Sequence, residues 1–433
     1  METQTIETPT MNVDHPALSA AVRAVLPLVP KKSQKPILTD CRLLAWRGGA
    51  IETESNDSES SVTVTIGHDR LYPVSAVDDA PPPTVATLIP RDVAATISKT
   101  AGAAIAIEPG AVAVGGSRAA VDDAGEYPRA EWIGIPCCPA SAAVSMSFLR
   151  LVDSAVAPAT DEDNGRFALA GVCLERRAGV TRAVGTDGRR IHIATEAEPG
   201  SGELWRERPE FSGETAAIVH PRVVRLFVRA VDAVAPWVAG KRGRAATMVA
   251  DSAVVLIRAW TTEDGCRRVG FWWSCGGARV RVIARTIMGR FPKYESCIPV
   301  TEENPATAPV GAMADQLRAA ARGATECNKS ALLKNGEVSA GSPGAEYRAP
   351  WAGGTLPAGW SWRGDPRFMA AAVDGLAECY GPGMIAAISR GAADNTMAAL
   401  ALFHGTFVRD PFRPRAGERG FLAVVAPCGG PED

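Results

Sequence analysis

Apolar residues recur at helical spacing in three segments of the chain. In each segment they fall at i, i+4, i+7 and i+8, which places them on one face of an α-helix. The segments are 17–30, 144–156 and 313–321. Each pattern predicts an amphipathic helix, and their spacing along the chain indicates that the three helices are equivalent parts of a repeat.

A second set of predicted helices begins with the dipeptide Pro-Arg. The dipeptides are Pro90-Arg91, Pro221-Arg222 and Pro366-Arg367, and their arginines are 131 and 145 residues apart. Proline suits the first turn of a helix, where its missing N–H loses no hydrogen bond. Helical periodicity follows each dipeptide, so the spacing predicts a threefold repeat of about one domain length.

In the segments between these helices, apolar and polar residues alternate, as they do in half-buried strands. Asp187-Gly188 lies between two of them and predicts a tight hairpin, because glycine tolerates the positive φ that such a turn requires. The Gly- and Pro-rich stretches 134–143 and 301–311 are interpreted as linkers. The predicted fold class is therefore α+β, with similar domains at 12–134, 140–301 and 308–433.

Composition and charge are those of an ordinary globular chain. The 433 residues are 46% hydrophobic and carry a net charge of −2, which excludes a domain that grips nucleic acid with a wholly basic surface. The first residues are acidic and polar rather than those of a signal peptide, and no apolar run is long enough to span a membrane. These features favour a cytoplasmic protein whose ten scattered cysteines are reduced.

Motifs for catalysis are missing from the sequence. The five histidines do not combine with Cys, Asp or Glu at metal-ligand spacing, and the chain contains no phosphate loop, dinucleotide fingerprint or nucleophile elbow. The acidic stretch 161–165 has glycine at position five and lacks a glutamate at position twelve of a calcium loop. We predict no catalytic residue, metal or cofactor. An unrelated enzyme stays open as an alternative, and it would need one of the histidines or cysteines.

Several longer motifs resemble one family. ATDEDNGRFALAGVCLE at 159–175, VGTDGRRIHIA at 184–194 and GRFPKYESCIP at 289–299 resemble the second domain of the bacterial sliding clamp, the β subunit of DNA polymerase III. VPKKSQKPIL, IETESND, LIPRDVAATI and EYPRAEW follow the order of its first domain. In the last third the resemblance is limited to ADQLRAAARGATECNK, the predicted helix from Pro366 and the terminal FLAVVAP.

The resemblance implies a head-to-tail ring of two chains, each with three similar domains of two helices and antiparallel sheets. Such a homodimer encircles double-stranded DNA without sequence preference and has no enzymatic activity. The implied partners are the DNA polymerase III α subunit, the clamp loader and other proteins with a clamp-binding motif, with no membrane partner. The implied location is the cytoplasm, in association with the nucleoid.

In this family helices line the hole of the ring, so their basic residues are the predicted DNA contacts. They are Lys31, Lys32, Lys35, Arg91, Arg150, Arg222, Arg225, Arg229, Arg318 and Arg322. Six helical segments, taken as 17–35 with its basic tail, 90–102, 144–158, 220–236, 311–329 and 365–379, carry 14 Lys and Arg against 8 Asp and Glu. Their net charge is +6, which leaves −8 on the rest of the chain. Solvated helix faces would give the same arginine spacing. Lys241-Arg242-Gly243-Arg244 is interpreted as an exposed turn.

The family also binds short linear peptides in an apolar pocket between its second and third domains. The matching positions are Leu169, Thr186, Gly188, Arg189, Arg190, Ile191, Pro299, Val424, Val425, Ala426, Pro427 and Cys428. Leu, Ile, Val and Pro side chains would supply the apolar floor of such a pocket. Taken alone, Leu169 and Ile191 are equally explained as ordinary core residues.

The chain departs from the family at both functional surfaces. Ala426 and Cys428 stand where methionines are frequent, which predicts a smaller pocket rim. At the ring interface, Thr325-Glu326-Cys327 replaces an apolar pair and Ala119 replaces a large apolar residue. These changes keep a second hypothesis open, in which the chain is a diverged clamp paralogue that acts as a monomeric or regulatory peptide-binding scaffold.

Overall fold

The structure is a computed structural model, and it describes most of the chain with gaps. The described ranges are 11–46, 48–67, 83–100, 104–108, 110–115, 117–122, 124–128, 142–160, 167–177, 179–197, 216–298, 306–324, 330–334, 336–342, 345–351, 361–381, 385–390, 400–404 and 419–427. The acidic stretch 161–165 and residues 325–327 lie outside them, as do Pro299 and Cys428.

Antiparallel strands and short helices make up the described chain. The strands of the first third are β1 Met11–Val13, β2 Asp40–Ala45, β3 Ile51–Asn56, β4 Ser60–Ile66, β5 Val85–Pro90, β6 Ile105–Glu108, β7 Ala111–Val114 and β8 Ser117–Ala120. Those of the middle third are β9 Ala142–Val144, β10 Val172–Arg177, β11 Val180–Thr186, β12 Arg190–Ala197, β13 Ala217–Val219, β14 Val255–Thr261, β15 Arg267–Cys275 and β16 Ala278–Arg285. Those of the last third are β17 Ala306–Pro309, β18 Ala331–Lys334, β19 Glu337–Ser342, β20 Ala345–Pro350, β21 Ser361–Gly364, β22 Ile385–Arg390, β23 Leu400–His404 and β24 Arg419–Val425. The helices are α1 His15–Val25, α2 Arg91–Lys99, α3 Met146–Leu151, α4 Pro221–Ala239, α5 Arg244–Ser252, α6 Val310–Gly323 and α7 Pro366–Tyr380.

The chain forms two compact units that do not follow the predicted domain borders. The first comprises Met1–Met146 with Arg222–Thr286, and the second comprises Ser147–Pro221 with Ile287–Asp433. Each unit thus contains part of the predicted middle domain. The division into three domains stays a prediction.

The first unit contains two antiparallel sheets. One has eight strands in the order β5-β2-β3-β4-β16-β15-β14-β9, and the other has the order β1-β6-β7-β8. At the centre of the larger sheet, β4 pairs with β16 over seven residue pairs, from Ile66 opposite Ala278 to Ser60 opposite Ala284. This single pairing joins strands that are more than 200 residues apart in the sequence.

The second unit repeats the arrangement. Its larger sheet has the order β13-β10-β11-β12-β24-β23-β22-β17, and its smaller sheet has the order β20-β19-β18-β21. Here β12 pairs with β24 over seven residue pairs, from Arg190 opposite Val425 to Glu196 opposite Arg419. The predicted hairpin is confirmed, because Asp187-Gly188 connects β11 to β12 and Gly188 has a φ of 86°.

Each of the three Pro-Arg dipeptides begins a helix, as predicted. Pro90 is the N-cap residue of α2, Pro221 is the first residue of α4, and Pro366 is the first residue of α7. The carboxylate of Asp365 also caps α7 by accepting a hydrogen bond from the backbone N–H of Arg367 at 2.9 Å. Local sequence therefore determines these helix starts.

Two predicted helices end earlier than their apolar periodicity indicates. α1 stops at Val25 and gives way to a 3-10 turn that contains Pro27, which has no N–H to continue the helical ladder. α3 stops at Leu151, and residues 152–156 continue as a π-helical turn. This turn packs closely on Gly185 of β11, where a Cβ would lie 2.4 Å from the carbonyl oxygen of Val156.

Candidate nucleic-acid interface and partner pocket

A basic loop follows α1 in the first unit. Lys31, Lys32 and Lys35 are all exposed there, between two 3-10 turns. Arg91, the first residue of α2, is half-buried, and its Nη1 donates to the carbonyl oxygen of Val29 at the start of this loop. The three lysines thus present charge to solvent, whereas the Arg91 guanidinium holds the loop against α2.

The three arginines of α4 lie on its solvent side, as their spacing predicts. Arg222 and Arg229 are exposed and Arg225 is half-buried, while the apolar side chains of the helix pack inward, with Phe227 against Phe271 at 5.4 Å between ring centroids. Arg222 Nη2 lies 3.5 Å from Asp57 Oδ2 and 3.2 Å from Glu59 Oε2. These carboxylates therefore already compensate part of the charge of Arg222.

In the second unit the predicted cations are on α3 and α6. Arg150 is half-buried, whereas Arg318 and Arg322 are exposed. Arg318 bonds to Asp315 one turn earlier on α6 and to Asp374 on α7. The guanidinium of Arg318 therefore links the two helices.

The predicted peptide pocket is centred on the pairing of β12 with β24. Ile191 is directly opposite Val424, Arg190 is opposite Val425, and the backbone N–H of Ala426 donates to the Arg189 carbonyl at 2.8 Å. Ile191 and Val424 also belong to one apolar cluster with Leu422 and Tyr294. The structure thus brings the β12 and β24 positions together.

Polar contacts fix the turn at the edge of this pocket. Asp187 accepts hydrogen bonds from the backbone N–H groups of Arg189 and Arg190, and its other oxygen lies 3.0 Å from Arg190 Nε. The Arg190 guanidinium also lies 4.5 Å from the centre of the Phe368 ring. Thr186 Oγ1 donates to the Arg190 carbonyl and accepts from the Gly188 N–H. These hydrogen bonds fix the conformation of the turn.

Burial divides the predicted pocket residues into two groups. Leu169, Thr186, Ile191, Val424 and Val425 are buried. Gly188 and Arg189 are exposed, and Arg190, Ala426 and Pro427 are half-exposed. Leu169 lies in the 3-10 turn before β10, and the described contacts do not join it to the Ile191 cluster. Its pocket role stays a prediction, as do the roles of Pro299 and Cys428.

The described ranges contain no group of three or more His, Cys, Asp or Glu side chains that could hold a metal ion. Burial raises the pKa of the Cys41 thiol to about 12, which disfavours the reactive thiolate, and also raises the pKa of Cys173. No helix in the part of the chain that the structure describes is both long and apolar enough to cross a membrane.

One basic cluster escaped the sequence analysis. Arg23, Lys99, Lys241 and Arg242 come from the ends of three different helices in the first unit and line one cavity. Lys241 and Arg242 are exposed in the turn between α4 and α5, as expected for that segment. No sequence signal links the four residues, because helix packing alone brings them together.

Neither a protein-family model nor a curated protein matches this chain. Solved structures do, over nearly its whole length. The DNA polymerase sliding clamp from Bacillus subtilis matches with a TM-score of 0.71 at 15% identity, covering 98% of this chain and 100% of the other. The chain has the bacterial sliding-clamp fold. The β subunit of DNA polymerase III from Pseudomonas aeruginosa matches with a TM-score of 0.69 at 15% identity, covering 97% of this chain and 100% of the other. The β subunit from Thermotoga maritima matches with a TM-score of 0.68 at 17% identity, covering 98% of this chain and 100% of the other. The α+β clamp fold inferred from the motifs is thus confirmed, in a chain whose sequence has diverged far from these clamps.

Proposed function

We propose that this protein is a processivity clamp without catalytic activity, two copies of which form a ring around double-stranded DNA. The likeness to sliding clamps over nearly the full chain supports this function. Such a ring would act at the nucleoid and hold DNA-processing proteins on their template. The strand pairing within the chain also indicates which strands would form the contact that closes the ring.

Six strand triplets occur in the described sheets, in two kinds. The first kind is β2-β3-β4, β10-β11-β12 and β18-β19-β20, and the second kind is β6-β7-β8, β14-β15-β16 and β22-β23-β24. Within the chain, the last strand of a first-kind triplet pairs with the last strand of a second-kind triplet, as in β4 with β16 and β12 with β24. β20 and β8 are the remaining last strands, and each lies at a sheet edge.

A head-to-tail contact between β20 of one chain and β8 of another would complete the pattern. It would convert two four-stranded sheets into a third eight-stranded sheet, and two such contacts would close a ring of two chains. Unpaired strand edges readily accept such a partner strand. We therefore propose β8 and β20 as the dimer interface.

The proposed interface is smaller than the two junctions within the chain. β8 has four residues, and its side chains, including Ala119, are exposed or half-exposed. The internal junctions each have seven residue pairs. We expect a weaker dimer than a seven-pair junction would give. This same shortness favours the alternative function, a monomeric or regulatory paralogue that binds peptides.

Hydrogen exchange and solution mass would separate the two functions. In the clamp, backbone amides of β8 and β20 should gain protection as the protein concentration rises, while the opposite sheet edges, β1 and β21, should not change. Light scattering should show twice the chain mass of 45.4 kDa. A constant mass of 45.4 kDa into the high micromolar range, with no change at β8 or β20, would support the monomeric scaffold.

Encirclement needs a topological test. Cross-linking β8 to β20 through introduced cysteines in the presence of nicked circular DNA should trap rings that resist high salt. Cutting the circle once should release them. Cross-linked protein that leaves the intact circle as readily as the linear DNA would contradict encirclement.

The DNA contacts are proposed to be electrostatic and independent of sequence. Among the predicted DNA contacts, five are exposed and have no described carboxylate partner, so they carry the largest expected contribution: Lys31, Lys32, Lys35, Arg229 and Arg322. Cations that neutralise phosphates release counterions. The logarithm of the DNA-binding constant therefore falls linearly with the logarithm of the salt concentration, and each such contact steepens this salt slope by about 0.9. Phosphate contacts of this kind hold the duplex without fixing one sequence.

Charge reversal on α4 tests this assignment. Replacing Arg222, Arg225 and Arg229 together with Glu should lower the salt slope for duplex DNA by about 1 to 3, with Arg229 contributing most. The matched control reverses three exposed cations outside the predicted DNA contacts and the proposed dimer interface, Arg244, Lys293 and Lys334. Equal slopes for the wild type and the α4 variant would place that helix face away from the DNA.

The β12–β24 surface is proposed as the binding site for short peptides of the DNA polymerase III α subunit, the clamp loader and similar partners. Its buried apolar floor and pre-fixed Asp187 turn support this role. Ala426 at the rim is small, so we expect a narrower range of peptide side chains there.

A further inference from the structure

One face of the larger sheet in the second unit points away from α7 and from the turn after α3. On the other face, His192 of β12 bonds to a carbonyl of that turn, and the ring of Phe421 in β24 packs on Gly375 of α7. Successive side chains of a strand point to opposite faces of its sheet. Ile191 and Leu422, the neighbours of His192 and Phe421, therefore lie on the face that points away, where the predicted peptide pocket is centred.

Segment 291–298 packs against this face. Its Tyr294 is only 4% exposed and belongs to one apolar cluster with Ile191 and Val424. Ile298, at the end of the segment, is half-buried and packs against the same cluster. The segment therefore lies next to the strand pair that is proposed to bind peptides.

Two contacts tie this segment to β10. The hydroxyl of Tyr294 donates a hydrogen bond to the buried Glu175 carboxylate. Glu175 also lies 3.4 Å from Arg182 Nη1 and 3.6 Å from Arg177 Nη2. Arg177 in turn bridges to Glu295, with 3.3 Å between Nη1 and Oε1. Because hydrogen bonds to an ionised carboxylate are about twice as strong as neutral ones, the contact of Tyr294 is the stronger anchor.

The position of Ile298 depends on Tyr294 through a single 3-10 turn. The turn spans Glu295–Cys297. The N–H of Cys297 donates to the Tyr294 carbonyl at 3.0 Å. The N–H of Ile298 donates to the Glu295 carbonyl at 3.3 Å. Because the connection is this short, a displacement of Tyr294 would move Ile298 with it.

The hydroxyl of Tyr294 is not needed to fill the apolar cluster, since a phenylalanine ring would occupy nearly the same volume. Apolar packing is non-directional, whereas a hydrogen bond to a buried carboxylate fixes a distance and an angle. Burial of the hydroxyl also costs free energy unless the group is bonded. The bond to Glu175 therefore contributes orientation rather than burial.

We propose that Tyr294 is a positioning residue of the peptide site. Through Glu175 it holds Ile298 against the Ile191 cluster, so that the segment forms one wall of the site before a peptide binds. A wall that is already ordered lowers the entropic cost of binding. The proposal rests on the proposed peptide binding at the β12–β24 surface.

Amide exchange in Tyr294→Phe tests whether the hydroxyl holds the wall. This variant keeps the ring, and Glu175 keeps its two arginine contacts, so the fold should persist. Without peptide, the amides of Cys297 and Ile298 should exchange about tenfold faster, because a hydrogen bond to a charged group stabilises by an amount of this order. The matched control, Tyr127→Phe, removes the hydroxyl of a buried tyrosine in the first unit and should leave both amides unchanged. Wild-type exchange in Tyr294→Phe would overturn the proposal.

Peptide binding tests whether the wall matters for function. The probe is a fluorescein-labelled octapeptide, selected from a random library on the wild-type protein, that no longer binds Ala426→Trp. Its dissociation constant should rise about tenfold in Tyr294→Phe. Leu174→Ala is the second control, because Leu174 precedes Glu175 on β10 and is buried on the opposite face. It should lower the thermal midpoint by leaving a cavity, with the peptide affinity within about twofold of the wild type.

The outcomes separate the positioning role from the peptide function. Equal peptide affinity for the wild type and Tyr294→Phe would refute the positioning role alone. Equal losses of affinity in Tyr294→Phe and Leu174→Ala would also refute it, because general destabilisation would then explain both. A wild type that binds no library peptide at this surface would refute the peptide function, and the positioning role with it.

Discussion

His192 should make the stability of the second unit depend on pH. Its side chain is fully buried in β12, where Nδ1 lies 2.7 Å from the Ala155 carbonyl oxygen and the ring packs edge-on against Phe421 at 5.6 Å. Burial is the main cause that lowers the pKa of His192 from 6.5 to about 4, although the hydrogen bond to Ala155 opposes it. The folded chain therefore holds this imidazole neutral.

The sign and size of the effect follow from the pKa difference between the two states. Because the folded-state pKa is lower, acid favours the unfolded chain, and stability is lost as the pH falls from 6.5 towards 4. A difference of about 2.5 units corresponds to about 3 kcal/mol once His192 is protonated in both states. About 2 kcal/mol of this should already be lost between pH 7 and pH 5, before most carboxylates titrate.

Urea unfolding at pH 7 and pH 5, monitored for wild type and His192→Leu, measures this contribution. The wild type should lose about 2 kcal/mol more than the variant between the two pH values. His220→Gln is the matched control, because His220 is only half-buried and the variant keeps His192. It should retain the wild-type pH dependence. If His192→Leu loses as much stability as the wild type, the imidazole is not held neutral by burial.

Two other predictions concern folding free energy. Glu54 Oε2 lies 2.7 Å from Arg42 Nη1 in a buried pair, so Glu54→Leu should destabilise the chain by about 3 to 5 kcal/mol, and Glu54→Leu/Arg42→Leu should recover part of the loss in urea unfolding. A double variant less stable than Glu54→Leu would contradict this reasoning. Gly185→Ala should lower the thermal midpoint, because the new Cβ would lie 2.4 Å from the Val156 carbonyl oxygen and overpacking of this kind costs about 1 to 3 kcal/mol or more. An unchanged midpoint would show that the turn after α3 yields freely.

Local signals predicted the elements of this fold better than their assembly. Pro90, Pro221 and Pro366 marked helix starts, and Asp187-Gly188 marked a hairpin, because each depends on the backbone preferences of a few residues. The pairing of β4 with β16 depends on strands more than 200 residues apart, so no local pattern could reveal it. For this reason the compact units cut across the predicted middle domain.

In the predicted sites too, local sequence indicated the position of single residues but not the distant residues that contact them. The spacing of Arg222 and Arg229 placed both on the exposed face of α4, but it could not predict that Asp57 and Glu59 would lie beside Arg222. The two carboxylates belong to a hairpin turn far away in the sequence. Likewise, Arg23 and Arg242, which line one cavity of the first unit, are 219 residues apart in the chain.

The shared sheets have a consequence for anyone who divides this protein into pieces. A fragment of residues 140–301 would contain β12 and β16 without β24 and β4, their partners in the intact chain. Each strand would then expose a full row of backbone donors and acceptors, the template on which chains aggregate. Cuts that keep each eight-stranded sheet whole must instead join two separate stretches of sequence. A stable fragment of this protein therefore calls for a designed connection between such stretches, for example between Met146 and Arg222.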